Sequence, residues 1–188
     1  MLLIAEDGTG VVGANSYATR VQADAYFDNH PFFTEQWFDL EPLKKDNLLI
    51  AATSQLDNLF NWHGTPSYRE QNLGWPRYGV LPPNNQLGYR VAQAYQARAY
   101  DARNYYLSNV LIPDSVKKAT YEMAFYLSKG DPFKLQSSRG LETLKIDVIE
   151  LHFDKSITPL PVPAPALALL RGLGEYAFGA RVRKVIVG

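Results

Sequence analysis

Residues 41–62 read EPLKKDNLLIAATSQLDNLFNW. Leu48, Leu49, Ala52, Leu56, Leu59 and Phe60 recur at the three- and four-residue intervals that place side chains on one face of an α-helix. Pro42 stands where a first helical turn tolerates a residue without an N–H, and Asp46 lies near the N-terminal end of the helix dipole. The stretch predicts a helix with one buried stripe that ends by Gly64. A stripe of this length needs apolar partners, so the rest of the chain is read for further helices that could cover it.

Toward the N-terminus, TRVQADAYFDNH (19–30) predicts a short helix over 20–29, with Ser16 or Thr19 as its cap and Pro31 as its stop. AEDGTGVVGANS (5–16) is rich in glycine and small polar residues and reads as loop or extended arm. Toward the C-terminus, residues 64–88 hold Gly, Pro and Asn and read as a long irregular loop, functional or packed by its own aromatics. YRVAQAYQARAYDARNYYLSN (89–109) is alanine-rich and helical by propensity. IPDSVKKATYEMAFYLSKGDP (112–132) opens on Pro113, and Val116, Ala119, Thr120, Met123, Ala124 and Leu127 form its buried face. Gly130 and Pro132 close it. TLKIDVIELHFD (143–154) alternates with period two and slips near Ile149, as one bulged strand or two short strands would. A proline-rich connector over 156–166 leads to a last short helix in ALALLRGL, broken by Gly172 and Gly174. The tail ARVRKVIVG (180–188) reads as an arm or an edge strand.

These segments combine into a mainly α chain: a small helical bundle with a short β element and extended N- and C-terminal arms. The expected divisions are an arm over 1–16, a helical domain over 17–178 and a tail over 179–188. The domain carries a long loop or insertion near 64–110 and a β element near 143–154. With 188 residues, 46% of them apolar, the chain can bury a core. Lys plus Arg equal Asp plus Glu at 19 each, which argues against a dedicated nucleic-acid binder with a basic excess. The absence of cysteine excludes disulfides, thiolate nucleophiles and cysteine-based zinc sites. MLLIAEDG lacks the basic start of a signal peptide, and no apolar stretch approaches the ~20 residues of a membrane span.

Signatures of catalysis are missing. His30, His63 and His152 do not fall at metal-ligand spacing, no serine sits in a nucleophile elbow, and no cofactor or metal is expected. GTGVVG (8–13) lacks the Lys-Ser/Thr of a phosphate-binding loop and reads as a flexible arm. Asp24, Asp28, Asp46, Asp57 and Glu122 read as solvated faces or ion pairs, with no acid marked for a raised pKa. Three features remain for binding. Arg90, Arg98 and Arg103 interleave with Tyr89, Tyr95, Tyr100 and Tyr105, the chemistry of single-stranded nucleic-acid contact; plain helix packing is the blander account. Arg181, Arg183, Lys184, Val185, Ile186 and Val187 form a β-branched edge that docks on a partner or pairs internally. In LGWPRYG (73–79), Trp75, Pro76 and Arg77 read as an anchor that clasps the long loop to the helices.

EDGTGVVGANSYATRVQADAYF, LIAATSQLDNLF, LGWPRYGV and IPDSVKKATYEMAFYLSKGD, in that order, resemble a family of tailed-phage proteins. The family is commonly labelled DnaT-like single-stranded-DNA-binding protein, and its members look like head–tail connector adaptors, or head-completion proteins. The resemblance covers residues 5–30, 45–79 and 111–155; residues 80–110 are longer than the family pattern, so nothing carries over to the Arg/Tyr segment. It implies a structural virion protein rather than an enzyme, a ring (typically a dodecamer) under the portal at the neck of the particle, assembled in the host cytoplasm. The implied partners are copies of itself, the portal protein, the tail or next connector protein, and double-stranded DNA passing without being read. No membrane is involved. The label itself implies the alternative, a true single-stranded-DNA-binding protein.

Overall fold

The computed structural model describes residues 2–82, 106–130, 143–146, 149–152 and 161–177. Among them the chain is mainly α, with five helices: α1 (Arg20–Asp28), α2 (Thr34–Phe38), α3 (Pro42–Leu59), α4 (Asp114–Ser128) and α5 (Ala164–Leu170). Three two-stranded antiparallel sheets accompany them. The first joins β1 (Phe60–Trp62) to β6 (Gly174–Tyr176), the second β2 (Thr65–Pro66) to β3 (Arg77–Tyr78), and the third β4 (Thr143–Ile146) to β5 (Ile149–His152).

Helix α3 takes Pro42 in its first turn, as its sequence requires, and buries Leu49, Ala52, Leu56 and Leu59. It packs on α4, which in turn packs on α5. Both faces of α4 are covered, so Tyr121, Glu122 and Phe125 are buried beside Val116, Ala119, Thr120, Met123 and Ala124. Helix α1 begins at a reciprocal cap: the Thr19 hydroxyl accepts the Gln22 N–H and the Gln22 side chain accepts the Thr19 N–H. Helix α2 is a single turn that periodicity cannot show. Thr34 donates its hydroxyl proton toward the Phe27 and His30 carbonyls, and Trp37 is buried in a stack on Phe27 at 4.5 Å.

The segment 143–152 forms two short strands, in register from Thr143 opposite His152 to Ile146 opposite Ile149, rather than one bulged strand. Residues 5–16, read as loop or extended arm, form a loop that closes on itself. Ala5 bridges Ser16, and the Glu6 carboxylate, 2% exposed, accepts the N–H groups of Gly8, Gly10 and Val11. Gly8 has φ near +110° and lies so close to the Val110 carbonyl that a Cβ would not fit. The tail over 179–188 and the Arg/Tyr helix expected over 89–106, apart from Tyr106, lie outside the described residues.

Candidate functional site: the Trp75 clasp and an exposed tyrosine pair

Trp75 and Pro76 are both buried and joined by a cis peptide. The Trp75 indole stands edge-on to Trp62 at 5.9 Å. What holds this loop is Asp57, on the last turn of α3. Its Oδ1 accepts from the Tyr17 hydroxyl and from Trp62 Nε1 (2.8 Å), and its Oδ2 accepts the Gly74 N–H (2.9 Å). The Tyr17 oxygen accepts the Trp75 N–H at 3.2 Å. One carboxylate thus ties together the N-terminal segment, a helix end, β1 and the loop. Gly74 is required there, since a Cβ would fall 2.6 Å from the Trp62 ring and 2.7 Å from Asp57.

Arg77 completes the clasp, with no carboxylate in direct contact among the described residues. Its Nε donates to the His63 carbonyl (2.6 Å), Nη1 to Gly74 (3.0 Å), and Nη2 to Gly64 (2.7 Å) and Trp62 (3.3 Å). A planar five-donor fork suits such a cage of carbonyls, and a lysine could not span it. Burial raises the Asp57 carboxyl above its ordinary pKa; hydrogen bonds from Tyr17, Gly74 and Trp62 and the charge of Arg77 pull the other way. Burial, then the Asp57 charge, lifts Tyr17 well above the usual phenol range, and desolvation lowers Arg77. Asp57 therefore corrects the expectation of solvated carboxylates and of no raised acid.

Glu122 is not a solvated carboxylate either. It is buried and accepts the Tyr26 hydroxyl at 2.6 Å, with His30 Nε2 3.6 Å away. His30 stacks on Phe33 at 4.7 Å and Phe33 on Phe125 at 4.4 Å, under the Lys129 ammonium. Asp24 binds Trp37 Nε1 and a buried Lys45, Asp46 pairs with Arg20, and Asp28 is exposed, as ion pairs and solvated faces should be. His63 Nδ1 lies 3.2 Å from the Gly172 carbonyl. These groups join one segment of the fold to another. The N–H groups of GTGVVG that could face a phosphate are in part taken by Glu6.

A different surface lies beside the clasp. Tyr78, the last residue of β3, is 61% exposed and Tyr106 is 41% exposed, with ring centroids 6.2 Å apart and planes tilted by 33°. Behind them the Leu107 N–H donates to the Val80 carbonyl at 2.8 Å, so the chain leaves near Val80 and returns at Leu107. Arg90, Arg98 and Arg103 fall between these points, outside the described residues, as do Arg181, Arg183, Lys184, Val185, Ile186 and Val187 at the C-terminus.

The neutral total conceals an asymmetry along the sequence. Residues 60–113 contain Arg69, Arg77, Arg90, Arg98 and Arg103, no lysine, and only Glu70 and Asp101 in opposition, an excess of three positive charges. The same stretch holds seven of the 12 tyrosines. The sequence signal for this was present, but averaging over the whole chain erased it. Tyr17 and Asp57, 40 residues apart, had no such signal, because no local spacing links them.

Residues 1–97, 97 of the 188, match the model of a family described as "Putative DnaT-like ssDNA binding protein". No curated protein and no solved structure matches the chain.

Proposed function

The chain belongs to that DnaT-like family, and from this premise we propose that it acts by binding, not catalysis, and that its ligand is single-stranded DNA. The observation that carries the reading is the family match, which runs through the clasp and into the arginine- and tyrosine-rich stretch. The chemistry of that stretch supports it. Arginines neutralise phosphates, and tyrosines stack on bases of any sequence. Binding of this kind weakens steeply as salt rises. Replacing Arg98 and Arg103 together by alanine is expected to weaken the affinity for a labelled oligo(dT) and to lower the slope of log affinity against log salt by about 1.4. A flat titration of the wild type at low salt rejects the reading.

A second reading keeps its own support: a connector adaptor that forms a ring, with about twelve copies, under a phage portal. Exposed apolar side chains favour it, namely Leu2, Val12, Val110 and Leu111 and, on other elements, Val21, Phe38 and Leu43. A head-to-tail ring needs two complementary faces on each chain. In this reading the portal and the tail or next connector are partners, the neck of the virion is the location, and Arg181 to Val187 dock on a neighbour. Electron microscopy of the protein, alone and with portal, is expected to show rings, and deletion of residues 180–188 is expected to abolish docking to portal while the domain still melts cooperatively. Monomers under both conditions reject it.

A further inference from the structure

Resting on the single-strand reading above, the geometry points to Tyr78 and Tyr106 as a base-stacking platform, a site for one or two unpaired bases of a single-stranded nucleic acid. The two rings are paired at 6.2 Å yet remain 61% and 41% exposed, so folding leaves their apolar faces in water. The backbone beneath them is fixed. Tyr78 pairs with Thr65 across the β2–β3 sheet, and the neighbouring Arg77 is locked to four carbonyls. Tyr106 precedes Leu107, which is hydrogen-bonded to Val80 and packed on the core. Ring surfaces held this way lose little freedom when a ligand stacks on them.

Charge identifies the ligand. The platform sits within the stretch that carries three excess positive charges, all of them arginine. A partner that is both anionic and rich in flat faces suits two exposed rings in an arginine-rich stretch of sequence, and a single nucleic-acid strand is that partner. Duplex DNA keeps its base faces inside its own stack and cannot offer them. Phe32 is more exposed still, at 77%, but it lies at the edge of the His30–Phe33 cluster, outside the arginine-rich stretch. It serves as the internal control.

The test measures binding of the full chain to fluorescein-labelled oligo(dT) by anisotropy over a range of salt, with melting curves for every variant. Tyr78→Ala and Tyr106→Ala are each expected to weaken binding roughly five- to a hundredfold without changing the salt slope. Tyr78→Phe is expected to bind as the wild type does, because the ring face is kept, and Phe32→Ala likewise. Unlabelled duplex of the same length is expected to displace the probe poorly. If Tyr78→Ala does not fold, Tyr106→Ala and Tyr78→Phe decide the matter. Wild-type affinity in both alanine variants overturns the platform while the single-strand reading stands, and a change confined to self-association does the same. Loss of binding in folded Tyr78→Phe also overturns it, since a hydroxyl contact would then be at work. A wild-type protein that binds no oligo(dT) overturns both.

Discussion

Asp57 shows how one side chain can decide the shape of a loop. It accepts three hydrogen bonds from residues far apart in sequence, and its burial raises its pKa. A raised folded-state pKa means that the native state holds its proton to higher pH than the unfolded chain does. The contribution of Asp57 is then fullest below the ordinary carboxylate value and is lost as pH rises through the folded value. The deficit in melting temperature of Asp57→Asn against wild type is therefore expected to be larger near pH ~4 than near pH ~8; equal deficits at both would show that Asp57 titrates normally. Trp75 makes the complementary point about packing. Its side chain is fully buried against Trp62 and the core, so Trp75→Ala is expected to cost about 3–5 kcal/mol, read as a fall in melting temperature. A normal melting curve would show that the indole carries little of the fold. Trp75 and Arg77 could be singled out from LGWPRYG alone, because a large indole beside a proline and an arginine in a glycine-bounded loop has few uses. The acceptors could not be read. Arg77 binds four backbone carbonyls, which are invisible in a string of residue names.

At the scale of elements, what the sequence revealed follows how local each element's cause is. Helices α1, α3, α4 and α5 announce themselves because their buried residues recur every three or four positions, and a capping threonine marks the start of α1 while prolines mark the starts of the other three. Lys45 was the exception on α3. It looks like a solvated lysine, but its ammonium reaches Asp24 and lies over the rings of Trp37 and Phe38, so the residue is 5% exposed. Helix α2 is too short to carry a period. The β1–β6 sheet joins residues 60–62 to 174–176, and no feature of either segment names the other. The glycine-rich loop was legible as irregular and illegible as closed. Its order comes from one carboxylate, Glu6, collecting N–H groups that would otherwise need water.

For the whole molecule, composition argued against nucleic-acid binding because 19 positive and 19 negative side chains cancel. A ligand meets a local surface, though, and the arginines and tyrosines are concentrated over residues 60–113 while the lysines lie elsewhere. The two functional readings differ in what they ask of this distribution. A single-strand binder uses it directly, and a ring adaptor uses the exposed apolar residues on other elements. The same feature that anchors the tyrosine pair, the Val80–Leu107 hydrogen bond, also sets how the chain can change over generations. The chain leaves the described fold near Val80 and rejoins it at Leu107, so the two ends of the intervening stretch are held together. Doubling a segment tethered at fixed ends costs only about 0.6 kcal/mol of closure entropy. Lengthening or shortening the stretch between Val80 and Leu107 is therefore expected to shift the stability of the helices and the clasp by only about that much, as melting curves of length variants would show.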